Sequence, residues 1–144
     1  MSDSKLVFKD SFAVTDIETV TQQVMAYISH YRIICLTGEV GSGKTTLSKS
    51  LLKTLGYQKA VDSPTFNLVN TYHWANQTVY HFDLYRIKSV QELNEIGFLE
   101  YLDSGHLCLI EWPELVLDFL DQPYLNLRIE HHDNMRHYEL IAIN

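Results

Sequence analysis

The feature that most constrains the fold of this 144-residue chain is a glycine-rich loop that lies between an apolar segment and a helix-forming segment. Residues 38–45 read Gly-Glu-Val-Gly-Ser-Gly-Lys-Thr, in which four residues separate Gly38 from Gly43, and Lys and Thr follow Gly43. Residues 32–37 form a short branched apolar run typical of a buried parallel strand, and residues 44–55 predict a helix that ends at Gly56. A strand, a glycine loop and a helix in this order predict an α/β fold.

Each fixed position of this loop suits a phosphate group with Mg²⁺ beside it. Glycines remove the side chains that would keep phosphate oxygens away from the backbone N–H groups at the positive end of the helix. Lys44 supplies a mobile positive charge for the β- and γ-phosphates, and Thr45 offers a hydroxyl to Mg²⁺. The alternative is a glycine turn that only caps a helix. The residues predicted to contact the nucleotide here are Glu39, Val40, Gly41, Ser42, Gly43, Lys44, Thr45 and Thr46.

Two carboxylates end apolar segments and are candidates to lie beside the loop. Asp83 follows the apolar stretch 79–82, and Glu111 follows the stretch 107–110. If their strands flank the strand before the loop, both acids reach the crevice at the carboxyl edge of the sheet. One acid could bind Mg²⁺, which usually takes one or two carboxylates in proteins, while the other orients the attacking water or holds the hydration shell of the metal. A solvated charge at the end of a strand is the simpler alternative for each acid.

A second loop and two arginines are weaker candidates. Ser63-Pro64-Thr65 could cover the nucleotide, with the Thr65 hydroxyl sensing the γ-phosphate, but a turn before a strand explains it equally well. Arg86 and Arg136 are candidates to neutralise charge on a transferred phosphoryl group. The seven histidines have no spacing typical of metal ligands, and Trp74 and Trp112 are interpreted as packing residues.

The remaining periodicities predict one domain over residues 1–144. The fold class is a three-layer α/β fold of the P-loop NTPase type, with a mostly parallel central sheet and antiparallel hairpin additions. The predicted helices cover residues 15–29, a short segment after Ser89, and 114–120; the predicted strands cover 66–74, 78–83, 106–111, 124–130 and 138–143.

Composition argues against direct binding to nucleic acid and to anionic membranes. The net charge is −7 with only eleven Lys and Arg residues, which disfavours direct grip on nucleic acid and adsorption to anionic membranes. Cys35 and Cys108 each lie in an apolar run and are predicted to be reduced core residues. Neither an export signal nor a membrane-spanning apolar run is present, so we expect a cytoplasmic protein.

Four stretches of the sequence together resemble a known bacterial family. They are Gly-Glu-Val-Gly-Ser-Gly-Lys-Thr-Thr (38–46), Ser-Pro-Thr-Phe-Asn-Leu-Val (63–69), His-Phe-Asp-Leu-Tyr-Arg (81–86) and Ile-Glu-Trp-Pro-Glu (110–114). In this order they closely resemble the TsaE (YjeE) family, the ATPases of tRNA threonylcarbamoyladenosine synthesis. The last three stretches are much more specific than the glycine loop alone.

The resemblance implies ATP/ADP and Mg²⁺ as cofactors, and partnership with TsaD and TsaB in modifying adenosine 37 of tRNAs that read codons beginning with A. It implies contact with tRNA only through those partners. By motif, Lys44 and its loop bind phosphate, Thr45 and Glu111 hold Mg²⁺, Asp83 takes the Walker B position and Thr65 belongs to a mobile switch loop. Three further positions match family residues near the nucleotide, namely Ile17, Glu114 and Arg136.

Two other functions stay open at the level of sequence. A small-molecule kinase would share the loop, but it would need an acceptor pocket and an arginine-bearing lid. A nucleotide-dependent binding module with little turnover would use the Thr65 loop to signal the bound state.

Overall fold

The structure, a computed structural model, describes residues 6–14, 17–39, 43–61, 68–132 and 135–144. Its seven strands are β1 (Leu6–Val14), β2 (Ile33–Thr37), β3 (Val69–Trp74), β4 (Gln77–Asp83), β5 (Leu107–Glu111), β6 (Tyr124–His132) and β7 (Met135–Ile143). Its helices are α1 (Ile17–Met25), α2 (Lys44–Leu55), α3 (Val90–Glu95) and α4 (Phe98–Asp103), followed by two 3-10 turns, Pro113–Leu115 and Leu117–Phe119.

The strands form one sheet in the order β1-β7-β6-β2-β5-β4-β3. Strand β2 pairs in parallel with β5 and β6, and β5 pairs in parallel with β4. Antiparallel pairings add β7 to β6, β1 to β7 and β3 to β4. Because β1 is antiparallel to β7 and β7 to β6, five strands (β1, β6, β2, β5 and β4) share one direction. The predicted mostly parallel sheet with antiparallel hairpin additions is confirmed.

The central strands are apolar because both of their faces are covered. In β2, Ile34 and Leu36 pack in a cluster with α1 and α2, while Ile33 and Cys35 pack in a second cluster with α3 and α4. Helices on both faces of the sheet give the three layers that the sequence predicts. The alternation of side chains along β2 sends Ile34 and Leu36 to the face that carries α2, and Ile33 and Cys35 to the other face.

Both cysteines are buried and free, as predicted. Burial raises the pKa of the Cys108 thiol to about 12, and burial also raises the pKa of Cys35, where Glu114 acts in the same direction. Neither thiol has the lowered pKa of a reactive cysteine.

One strand is missing from the prediction, and two predicted helices need correction. Strand β1 is not predicted, because an edge strand that pairs with β7 alone is stabilised by that partner and carries a weak pattern of its own. The predicted helix over 114–120 is wrong: two 3-10 turns replace it, because tertiary packing rather than the apolar pattern of the segment decides the conformation of so short a piece of chain. Helix α1 ends at Met25 rather than near residue 29, because the chain turns there to enter β2.

Other predicted elements are confirmed. Ser89 accepts a hydrogen bond from Glu92 N at 3.4 Å and caps α3. The hairpins β3–β4 and β6–β7 are both present, although residues 66–67 at the predicted start of β3 and residues 133–134 in the second turn lie outside the described residues, as do Thr15 and Asp16 of the predicted first cap. Among the described residues no helix combines the length and the apolarity that crossing a membrane requires.

Candidate functional site

The candidate site lies where β2 ends and α2 begins. Gly43 caps the amino terminus of α2 with φ 112°, a left-handed conformation that favours glycine, and its carbonyl accepts the first helical hydrogen bond from Leu47 N at 2.9 Å. Gly38 and Glu39 continue from β2. Three predicted phosphate-binding residues, Val40, Gly41 and Ser42, lie outside the described residues.

Lys44 is held inside the protein at the first turn of α2. Only 6% of its surface is exposed. Its ammonium group donates hydrogen bonds to the Gly38 carbonyl and, at 3.3 Å, to the Glu39 carbonyl. The same nitrogen lies 3.8 Å from the centroid of the Trp112 ring, which is a cation–π contact. The Lys44 side chain therefore folds back toward Gly38 and Glu39, and its charge stays at the amino end of α2.

The charge on Lys44 is buried among acids. Burial lowers its pKa from the ordinary value of 10.5, while Glu111, Asp83 and Glu114 act in the opposite direction. Three carboxylates thus lie close enough to stabilise one buried ammonium group. A polyanion that entered this region would meet a positive charge that is already desolvated, and such a charge interacts more strongly than one in bulk water.

Thr45, Glu111 and Asp83 form the acidic side of the site. The Thr45 hydroxyl donates to Glu111 Oε1 at 3.3 Å. Glu111, at the end of β5, is 3% exposed, and it pairs in register with Asp83 at the end of β4, which is 9% exposed. Asp83 Oδ1 accepts a hydrogen bond from Tyr85 N at 3.1 Å. Parallel pairing of β2, β5 and β4 brings both acids to the edge of the sheet from which the loop leaves.

His81 belongs to this cluster, although the sequence pattern assigned no chemistry to any histidine. It is fully buried, and its Nε2 atom is hydrogen-bonded to Glu111 Oε2. His81 lies two residues before Asp83 on β4, so both side chains project from the face of the sheet that α2 covers. That spacing was the available signal, because a polar residue at i−2 from a strand-end acid shares its face.

Trp112 is the second residue whose contribution the sequence did not reveal. The sequence interpretation made it a packing residue, yet the ammonium group of Lys44 lies over its ring. The ring also contacts Tyr85, with ring centroids 4.8 Å apart. Its φ of 57° is unusual for a residue other than glycine, and backbone conformations of this kind concentrate at functional sites. Trp74, in contrast, packs against Tyr57, as the packing interpretation requires.

Arg136 lies on β7, which β6 separates from β2 in the sheet, and its side chain extends to Gly43. A Cβ atom added at Gly43 would lie 3.4 Å from both Cζ and Nε of the Arg136 guanidinium, which therefore passes directly over Gly43. Arg136 also hydrogen-bonds the Tyr138 side chain, where burial raises the tyrosine pKa and the arginine lowers it. Strand β7 thus delivers a planar cation to the amino terminus of α2.

Most of the other predicted site residues are exposed. Ile17, the first residue of α1, is half-buried against the apolar cluster that α1 and α2 share. Glu114 is exposed in the 3-10 turn after Trp112, and Glu39 and Thr46 are exposed. Arg86 is exposed in the turn after β4. Thr65 lies outside the described residues.

The chemistry of these groups fits a magnesium nucleotide. A hydroxyl and one or two carboxylates are oxygen ligands of the kind that Mg²⁺ takes while keeping several waters. Lys44 and Arg136 offer positive charge on the same helix end, where backbone N–H groups also point outward. Among the described residues, no three His, Cys, Asp or Glu side chains form a metal-binding group.

Comparison with known proteins gives consistent matches. The model of a family described as "Threonylcarbamoyl adenosine biosynthesis protein TsaE" matches residues 13–138. The tRNA threonylcarbamoyladenosine biosynthesis protein TsaE of Haemophilus influenzae is 40% identical over 110 residues, which cover 76% of this chain and 70% of that protein. The protein of the same description from Rickettsia conorii is 42% identical over 113 residues, 78% of this chain and 64% of the relative, so the match spans slightly less than two thirds of that protein.

A solved structure shares the fold. The crystal structure of YdiB from Bacillus subtilis superposes with a TM-score of 0.76, and the match covers 97% of this chain and 88% of that one. At 24% sequence identity this likeness shows a common fold and nothing finer.

Proposed function

The chain belongs to the TsaE family of tRNA threonylcarbamoyladenosine biosynthesis proteins, and from that membership we propose that it is the family's ATP-binding and ATP-hydrolysing component. In this proposal it acts in the cytoplasm with TsaD and TsaB to form N6-threonylcarbamoyladenosine at position 37 of tRNAs that read codons beginning with A. It contacts the tRNA only through those partners.

One observation carries the proposal: Lys44, Thr45 and Glu111 converge at the junction of β2 and α2. Glu111 is 66 residues from Thr45 in the sequence, yet the Thr45 hydroxyl contacts it and the Lys44 charge lies in the field of the same carboxylate. A lysine for phosphate, a hydroxyl for Mg²⁺ and an acid for the same metal are the groups that nucleotide hydrolysis needs at this position.

Each residue has a distinct part in this proposal. When bound, ATP supplies the phosphoryl group and Mg²⁺ neutralises charge on its oxygens. Lys44 binds the β- and γ-phosphates, and Thr45 with Glu111 holds the metal. Asp83, fixed by Tyr85 N, orients the attacking water or the hydration shell of the metal. Arg136, which lies over Gly43, neutralises charge that develops on the phosphoryl group, and Thr65 acts in a switch loop.

The acidic composition supports a role on partner proteins. A net charge of −7 disfavours direct contact with tRNA phosphates and is compatible with an enzyme that acts on a protein complex. We propose that ATP turnover resets the TsaD and TsaB complex between catalytic cycles. Hydrolysis by the chain alone is then slow and becomes faster when both partners are present.

Measurement of phosphate release tests this function. The purified chain is incubated with ATP and Mg²⁺, alone and with TsaD and TsaB, beside a Lys44→Ala control. The proposal expects slow release that rises with the partners and disappears in the control. Equal rates with and without the partners contradict the coupling. Phosphorus NMR distinguishes free phosphate from a phosphorylated metabolite, which would instead indicate a kinase.

Replacement of Glu111 by Gln tests the metal ligand. The change removes the charge while nearly keeping the volume of a side chain that is 3% exposed. We expect the gain in nucleotide affinity that Mg²⁺ brings to be lost, and the affinity without Mg²⁺ to change little. Titration calorimetry with and without the metal measures both. Glu95→Gln, at an exposed acid on α3, is the matched control, and an unchanged Mg²⁺ effect in Glu111→Gln would remove Glu111 from the site.

A further inference from the structure

His81 occupies a position where a polar side chain is costly. It is 0% exposed on β4, and its Nδ1 atom has no hydrogen-bond partner in the part of the chain that the structure describes. A buried polar atom without a partner loses the hydrogen bond that it would make to water. An apolar side chain would fill the same volume without this loss. Packing alone therefore gives no reason for an imidazole here.

The compensating interaction is with Glu111. That carboxylate accepts a hydrogen bond at each oxygen, with Oε1 facing the Thr45 hydroxyl and Oε2 facing His81 Nε2. A carboxylate can only accept, so the imidazole must carry its proton on Nε2. Nδ1, on the other side of the ring, has no hydrogen-bond partner among the described residues, so the ring is held through Nε2 alone.

The two contacts together fix the rotation of the Glu111 carboxylate. His81 and Thr45 approach it from different elements, β4 and the first turn of α2, so the carboxylate cannot turn about its terminal bond without losing one of the two bonds. Oε2 is directed into the protein and Oε1 toward α2. Such an arrangement selects the oxygen that is offered to anything bound beside Thr45.

We propose that His81 is a positioning residue for the magnesium ligand Glu111. It does not touch the metal or the nucleotide; it holds Oε2 so that Oε1 is presented next to the Thr45 hydroxyl. This inference rests on the proposed function, because it assigns His81 to that metal site. Residues that orient a metal ligand through its second atom commonly change metal affinity by about 10- to 100-fold when they are replaced.

Two variants of His81 separate positioning from packing. His81→Leu fills the space without a donor, and His81→Gln keeps an N–H donor near the place of Nε2. Fluorescent nucleotide titrations at graded Mg²⁺ concentrations, and in a chelator, give the apparent Mg²⁺ affinity and the metal-free nucleotide affinity separately. We expect His81→Leu to weaken the apparent Mg²⁺ affinity about tenfold or more, with a change below about twofold in metal-free binding, and His81→Gln to recover most of the loss.

The outcomes distinguish this inference from the proposed function. If wild-type protein binds nucleotide with no effect of Mg²⁺, the metal site and the role of His81 fail together. If the wild type depends on Mg²⁺ and His81→Leu has the same dependence, only the role of His81 is overturned. If His81→Leu and His81→Gln lose metal-free and metal-dependent binding equally, the ring is a core residue and the inference is also overturned.

A measurement on the unaltered protein covers the case in which His81→Leu does not fold. Nitrogen-15 NMR of histidine-labelled wild type reports which ring nitrogen carries the proton. We expect a proton on Nε2 of His81, and we expect the resonance of Nε2 to shift when Glu111 is replaced by Gln. A proton on Nδ1 with a bare Nε2 would rule out the bond to the Glu111 carboxylate and overturn the inference.

Discussion

The two ends of α2 have similar parts and different surroundings. Glycines flank the helix in nearly the same left-handed conformation, Gly43 with φ 112° and Gly56 with φ 111°. A tryptophan lies at each end: Trp112 contacts Lys44, and Trp74 lies where a Cβ at Gly56 would be 3.2 Å from its indole nitrogen. The segment 44–61 carries four lysines and no acid, so positive charge is also present at both ends.

The difference is how the charge is held. At the amino end one lysine is 6% exposed, and its charge is surrounded by acids and loop carbonyls. Lys49 in the middle of α2, Lys53 in its last turn and Lys59 beyond it are exposed around an open cavity of about 700 Å³. The helix dipole favours the cation in the last turn, and exposed lysines elsewhere on a surface need no bound partner. The number of lysines and the size of a cavity are therefore poorer guides to a binding site than convergence of buried groups.

The largest expected contrast is between single lysines at the two ends. Lys44→Ala should weaken ATP binding at least about tenfold, because a charge-assisted hydrogen bond contributes roughly 1.5 to 3 kcal/mol. Lys53→Ala removes an exposed charge and should change the affinity less than about twofold. Calorimetric titration with Mg²⁺ and ATP measures both. Similar losses of ATP affinity in the two variants would contradict this prediction, because they would show that lysines at both ends of α2 contribute equally to binding.

The two glycines give the next contrast. Alanine at Gly43 or Gly56 should lower the free energy of unfolding by about 1 to 2 kcal/mol, because both positions need a left-handed backbone. Only Gly43→Ala should also reduce nucleotide affinity by several-fold, since its methyl group meets the Arg136 guanidinium. Urea denaturation and nucleotide titration report the two effects. An equal loss of affinity in Gly56→Ala would contradict this assignment.

Replacement of the two tryptophans should also affect ATP binding at the amino end of α2 only, and by a smaller factor. Trp112→Leu removes the ring under Lys44 and should weaken ATP binding by a factor of about five, since a cation–π contact contributes roughly 1 kcal/mol. Trp74→Leu should leave binding unchanged and lower stability, because Trp74 packs against Tyr57 with ring centroids 5.2 Å apart. Nucleotide titration and thermal unfolding of each variant test this, and weaker ATP binding in Trp74→Leu would count against it.

The smallest expected effect is on the pH dependence of binding. Burial lowers the pKa of Lys44, so its proton is lost at a pH below the ordinary value of 10.5. Anion binding favours the protonated form, and the affinity should therefore be constant at lower pH, fall by about twofold where the pH equals the pKa of Lys44 in the free protein, and fall further above it. Lys44→Ala should abolish this dependence and Lys53→Ala should retain it. A fall that persists in Lys44→Ala would assign the titration to another group.

Local pattern was sufficient for the central elements of the fold. The sequence predicts β2, α2, β5 and the Gly56 end of α2 because continuous branched runs, a glycine loop and a helical period are short-range signals. It also places Asp83 and Glu111 at strand ends, and the structure pairs them in register. Their chemical roles stay predictions. The edge strand β1 and the 3-10 turns after Trp112 escape such reasoning because their conformations depend on their neighbours.

What the sequence determined by itself was a glycine-rich loop between a buried strand and a helix, since each of those features lies within a few consecutive residues. Only the tertiary structure decided which distant side chains complete the site. Glu111 lies 66 residues from Thr45 and 30 from His81, and Arg136 comes from the last strand. The pairing of β2 with β5 and β6, of β4 with β5 and of β7 with β6 brings them together. Strand pairing between distant segments depends on packing over the whole sheet, which no local pattern contains.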